Sequence, residues 1–160
     1  MGLDMFIYGL KNTSPPDDYD NNYGEWKELC YWRKANQIHK WFSDRLIKGQ
    51  NPWGYYEITE SELQGLLLLC KFLYKIKYNS DEDFAWVDTK FTRFVEANKI
   101  EGWKEAEYIA NVLLPPDNTG CCFGSGDIDE KYWYDIEDTI KQLTKALESE
   151  YNSYFYMASW

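Results

Sequence analysis

A single histidine, His39, and the absence of any Cys-x-x-Cys pair leave this chain without the ligand spacings of common zinc sites, and no metal or other cofactor is expected. No serine sits in a nucleophile-elbow context, so no catalytic motif is expected either. Cations are scarce: 17 Lys and Arg stand against 27 Asp and Glu, for a net charge of −10. Phosphate contacts need cations, so direct nucleic-acid binding is disfavoured. Long apolar runs are missing as well. The longest, residues 66–70, is far too short to span a membrane. The first residues lack a cationic stretch leading into an apolar run, and Phe6 stands where a myristoylation signal needs Ser or Thr. These absences lead to the expectation of a cytoplasmic protein whose four cysteines are reduced thiols.

What the chain has in quantity is ring surface. Nineteen per cent of its residues are aromatic, with 8 Trp and 14 Tyr, and 44% are hydrophobic. That composition suits a core with polar edges as well as a binding face. The 160 residues fit one domain, 1–160. Charge is uneven along it: residues 25–49 hold six cations and three acids, whereas residues 81–138 hold fifteen acids and five cations.

The fold class expected is α+β: a mainly helical domain with a small antiparallel sheet that pairs N- and C-terminal strands. Residues 3–10 and 153–160 supply those strands. Residues 12–24, NTSPPDDYDNNYG, form a loop by turn chemistry. A helix is predicted over 25–48, with Tyr31, Ala35, Ile38, Phe42 and Leu46 as its core stripe. A second begins at the capping box Thr59/Glu62, stapled by Ile58 and Leu63. Gly65 in its second turn points to a close neighbour. Residues 79–83 open a further helix bearing Phe84, Val87, Phe91, Phe94 and Val95. Another runs over 103–113, ended by Pro115 and Pro116. The glycines of GCCFGSG, 120–126, lack the lysine and spacing of a phosphate loop, so 121–123 reads as a strand between turns. The last helix covers 129–149, with Trp133, Ile136, Ile140, Leu143 and Leu147 as its stripe. Asp127, Asp129 and Glu130 have the oxygens for a hard cation but fit capping of that helix better.

The densest chemistry lies in CYWRKANQIHKWF, residues 30–42. On the predicted helix Trp32, Asn36 and His39 follow at i, i+4 and i+7, with Arg33 nearby. This ridge is either structural, its His and Asn satisfied at the core boundary, or a ligand site. In the second case an indole stacks, an amide reads a base edge and a cation meets phosphate, which suits a nucleotide.

Taken together, MGLDMFIYG, YWRKANQIHKWF, LLPP followed by CFGS, YWYDIEDTIKQLTKALE and the terminal YFYMASW resemble a family of small phage and prophage proteins, most without assigned function. The resemblance covers about half the chain, and residues 75–107 read as a helical insertion relative to it. It implies a phage accessory gene product in bacterial cytoplasm and implies no reaction. The leading functional expectation is therefore inhibition of a host defence or nucleic-acid-handling protein, of anti-CRISPR or other anti-defence type. The acidic half would meet a basic partner surface through Asp81, Glu82, Asp83, Asp135, Glu137 and Asp138. The alternative is nucleotide binding at Trp32, Arg33, Asn36 and His39.

Overall fold

The computed structural model describes residues 2–11, 26–47, 53–78, 106–117 and 124–160. In chain order these form β1 (Asp4–Leu10), β2 (Lys27–Arg33), α1 (Asn36–Phe42) continued by a π turn (Ser43–Ile47), and β3 (Tyr56–Ile58). Then come α2 (Glu60–Tyr78), α3 (Ala106–Leu113), α4 (Glu130–Leu147) and β4 (Ser153–Ser159). The domain is α+β, and its antiparallel sheet has the order β2-β1-β4-β3.

The terminal strands pair as expected, in a register running from Asp4 opposite Ser159 to Leu10 opposite Ser153. Alternation then sorts the side chains. Met5 and Ile7 of β1, Cys30 and Trp32 of β2, Tyr154, Tyr156 and Ala158 of β4 and Ile58 of β3 are buried in the core. Helix α2 covers them with Leu63, Leu66, Cys70 and Leu73, and α4 with Trp133, Ile136 and Leu143. On the other side of the sheet Phe6, Tyr8, Trp26, Tyr55 and Phe155 touch one another ring to ring.

Residues 27–33 overturn the helix predicted over 25–48. They form a strand paired with β1, with Asp4 opposite Arg33 and Met5 opposite Trp32. The segment satisfies two periods at once: Cys30 and Trp32 are buried while Tyr31 and Arg33 are exposed, a period of two. Leu, Cys, Tyr and Trp suit a pleated surface, and β1 offers an unpaired edge, so tertiary pairing outweighs the helical stripe. The strand ends where Lys34 takes a left-handed φ of 59°, and only then does the helix begin, at Asn36. No side chain caps its start.

The other helical expectations fare better. Thr59 and Glu62 form the reciprocal capping box, with Thr59 N donating to Glu62 Oε2 at 2.9 Å and Glu62 N to Thr59 Oγ1 at 3.2 Å. The helix before the proline pair spans Ala106–Leu113. Asp129 caps α4, its Oδ1 accepting from Tyr132 N at 2.9 Å. Gly65 is a correction: a Cβ there would meet nothing within 4 Å, because the residue lies on the solvent side of α2. The 12–24 loop, the 79–83 helix start with its helix, the strand at 121–123 and most of the 75–107 insertion lie outside the described residues. Among the described residues no helix is long and apolar enough to cross a membrane, and no cluster of His, Cys, Asp and Glu is placed to hold a metal ion.

Candidate functional site

Two segments far apart in the chain build the most elaborate polar site. One is the end of β2 with the start of α1; the other is the turn at residues 124–129 with the first turns of α4. Backbone geometry brings them together. Gly124 has a φ of 108°, and a Cβ there would come within 2.6 Å of the Lys34 carbonyl oxygen, so only glycine lets the two chains approach this closely. Asn36, 1% exposed, fixes the turn by donating from Nδ2 to the Ser125 carbonyl at 2.7 Å. Along the β2 edge, Gln142 of α4 accepts from Tyr31 N at 2.7 Å and donates to Tyr31 O at 2.8 Å. That amide satisfies backbone groups an edge strand would otherwise leave open. Trp32 Nε1 donates to Thr139 Oγ1 at 2.9 Å, and Thr139 Oγ1 donates in turn to Asp135 O at 2.6 Å.

A cavity of about 460 Å³ opens between these segments, walled by Lys34, Gln37, Ser125, Asp127, Lys131 and Asp135 among others. A second, of about 350 Å³, is walled by Tyr31, Trp32, Arg33, Tyr134 and Asp138 and shares Lys34, Lys131 and Asp135 with the first. Two polar side chains of the first cavity are nearly buried, Gln37 at 2% and Asp135 at 4% exposure, and Asp135 belongs to the shared wall. Asp135 pairs with Lys131 one turn back on α4. Burial raises its carboxyl pKa, and the Lys131 ammonium and Gln37 amide pull in the opposite direction. The Lys131 side chain is half exposed, so its ammonium is within reach of solvent and of anything bound beside it.

The structure separates the residues of the sequence-predicted ridge. Trp32 and Arg33 are on β2, and Asn36 and His39 on α1, so the ridge does not exist as one helical line. Trp32 and Arg33 line the second cavity, and Asn36 supports the rim of the first. His39 faces the sheet instead. It is buried, hydrogen-bonded through Nδ1 to the Tyr156 hydroxyl at 2.7 Å, with the Trp160 ring edge-on at 5.5 Å. Burial lowers its pKa from 6.5, opposed by the neighbouring Asp117 carboxylate, and burial holds the Tyr156 phenol protonated.

His39→Ala is therefore expected to cost about 1–3 kcal/mol, the penalty for a buried partner left unpaired. Because the folded pKa is depressed, the stability contribution is complete above pH 6.5 and is lost as pH falls through the lowered value. Urea melts from pH 7.5 to 5 check both effects. The variant should lose stability at neutral pH and show a flatter acid limb; an unchanged wild-type-like limb contradicts this role.

Of the acids expected to bind a partner, Asp81, Glu82 and Asp83 lie outside the described residues. Asp135 is turned into the groove, whereas Glu137 and Asp138 are partly exposed. Glu137 pairs with Lys141 at 2.6 Å and Asp138 accepts from Gln142 at 2.6 Å. Sequence reasoning missed Lys34, Gln37, Ser125 and Lys131 as site residues. The signal available for them was the glycine pair of GSG, placed just before a capped helix.

Comparison with protein-family models, curated proteins and solved structures returns no match.

Proposed function

We propose that this protein is a phage accessory factor of bacterial cytoplasm that acts by binding, and that its ligand is a nucleotide sequestered in the groove between β2, α1 and α4. The observation that carries this reading is the convergence of nearly buried Gln37 and Asp135 with the Lys34 and Lys131 side chains on one cavity. Ammonium groups complement phosphate, a carboxylate and an amide complement the N–H and C=O edges of a base, and exposed Tyr134 offers a stacking face. These parts replace the Trp32/Asn36/His39 ridge as the nucleotide site.

A thermal-shift screen against nucleotides tests it. A ligand at 100 times its Kd contributes about 2.7 kcal/mol, or roughly 5–10 °C for a chain this long. Lys34→Gly removes one ammonium while easing the left-handed backbone, so the variant should melt no lower than wild type. It should bind the nucleotide roughly ten- to a hundredfold more weakly, the loss of one charge-assisted hydrogen bond. An unchanged shift with this variant rejects the groove.

The charge of −10 supports a second reading, inhibition of a basic host defence or nucleic-acid-handling protein. Asp127, Asp129 and Glu130 are exposed, and Glu137 and Asp138 partly so, along and just before α4. Affinity for such a partner falls steeply between low and physiological salt, whereas a groove-held nucleotide shifts the melt without any second protein.

A further inference from the structure

Resting on the nucleotide reading, we infer that the ligand is a dinucleotide: two nucleosides joined through phosphate, one seated in each cavity, with the linkage over their common wall. Each cavity falls in the size range of a complete small-molecule site, about 300–1,000 Å³, so one mononucleotide leaves the other empty. The two are neighbours through Lys34, Lys131 and Asp135. Both lysines therefore stand where the two lobes meet, which is where a ligand spanning them carries its phosphate.

The outer ends match nucleosides rather than more phosphate. The larger lobe ends in Ser125, Asp127 and Asp129, and the smaller bears Asp138 and Arg33 beside Tyr31 and Tyr134, with Arg33 drawn toward Asp4 at 3.9 Å. Carboxylates at each end repel phosphate and accept from amino and imino N–H groups of bases. Tyr134 is 62% exposed, so its ring is open for stacking in the smaller lobe, whereas the Tyr31 ring packs against Phe6 at 5.2 Å and its hydroxyl donates to Asp4. The common wall, with Lys34 and Lys131 against Asp135, carries a net positive charge, flanked by Asp127 and Asp129 in the larger lobe and by Asp138 with Arg33 in the smaller. A dinucleotide places its phosphate at that wall and one base toward the acids of each lobe. The buried carboxylate at the centre does not oppose this, because Lys131 pairs with it and Lys34 adds a second cation at the same wall.

Isothermal titration of the full chain tests the inference with three sets of probes: adenosine and guanosine monophosphates, linear dinucleoside monophosphates, and 3′,5′-linked cyclic dinucleotides. Joining two half-site ligands gains affinity through effective concentration, so one dinucleotide should bind at least ~100-fold more tightly than either monophosphate, one per chain. Whether the linear or the cyclic set binds identifies the form of the linkage. Tyr134→Ala, an exposed position, should weaken the dinucleotide about tenfold or more, a larger loss than it causes for either monophosphate. A monophosphate binding as tightly as every dinucleotide, or Tyr134→Ala without effect on the dinucleotide, overturns the two-lobe assignment and leaves the nucleotide reading standing. No heat and no melting shift with any of the three sets overturns both.

Discussion

Removing residues 154–160 is expected to abolish cooperative folding, the largest effect of any change considered. Strand β4 is interior to the sheet, with β1 on one side and β3 on the other. Its loss leaves β1 with one neighbour and takes from β3 the only strand it pairs with among the described residues. It also strips out Tyr154, Phe155, Tyr156 and Ala158, all buried. Burying a large apolar side chain stabilises by about 1.5–3 kcal/mol, and whole domains are stable by about 5–15 kcal/mol. Three aromatic rings and a strand's worth of ladder bonds therefore amount to most of the total. The near-ultraviolet circular dichroism should vanish, and urea titration should show no sigmoidal transition. A truncated chain melting at the wild-type midpoint contradicts the β1–β4 register.

Trp32→Ala is expected to cost about 3–5 kcal/mol, in the range of large aromatic truncations in a core. The indole is 2% exposed, lies 6.1 Å from the Phe42 ring and donates to Thr139 on α4. One side chain thus ties β2 to α1 and to α4, the three elements that wall the groove. Truncation should weaken nucleotide binding along with stability. Trp32→Phe separates the two contributions. It keeps most of the packing and loses the indole N–H bond, which costs about 1 kcal/mol, and the groove should survive. Denaturant midpoints and ligand-induced melting shifts for both variants give the comparison. A Trp32→Ala protein of undiminished stability would mean that the indole is not part of the core.

Where the deciding interactions were local, the sequence sufficed. The capping box at Thr59 needs only residues three apart, and α2 begins there. Asp129 before the YWYDIEDTIKQL stripe likewise places the start of α4, and the proline pair stops α3. Alternating residues in 3–10 and strand-forming residues in 153–160 predicted terminal strands, and these two strands do pair with each other. Residues 27–33 were beyond local reasoning. Their apolar positions fit a period of two and a helical stripe, and the pattern says nothing about a vacant sheet edge on β1, which ends at Leu10 well before Lys27. Gly65 misled for a related reason: a glycine's cost within a helix is local, but whether anything packs against it is not.

The chain by itself therefore determined the α+β class, most of the described helix limits and the strong acidity, since these follow from spacing, capping and composition. The tertiary structure decided which polar residues meet. Lys34 and Gln37 reach Ser125 and Asp135 across about ninety residues because Gly124 lets two backbones approach and Asn36 binds the turn. It also took His39, the one residue that composition had made conspicuous, and turned it toward Tyr156 and the core. Burial and pairing across the sheet depend on the whole fold, and no periodicity within thirteen residues encodes them.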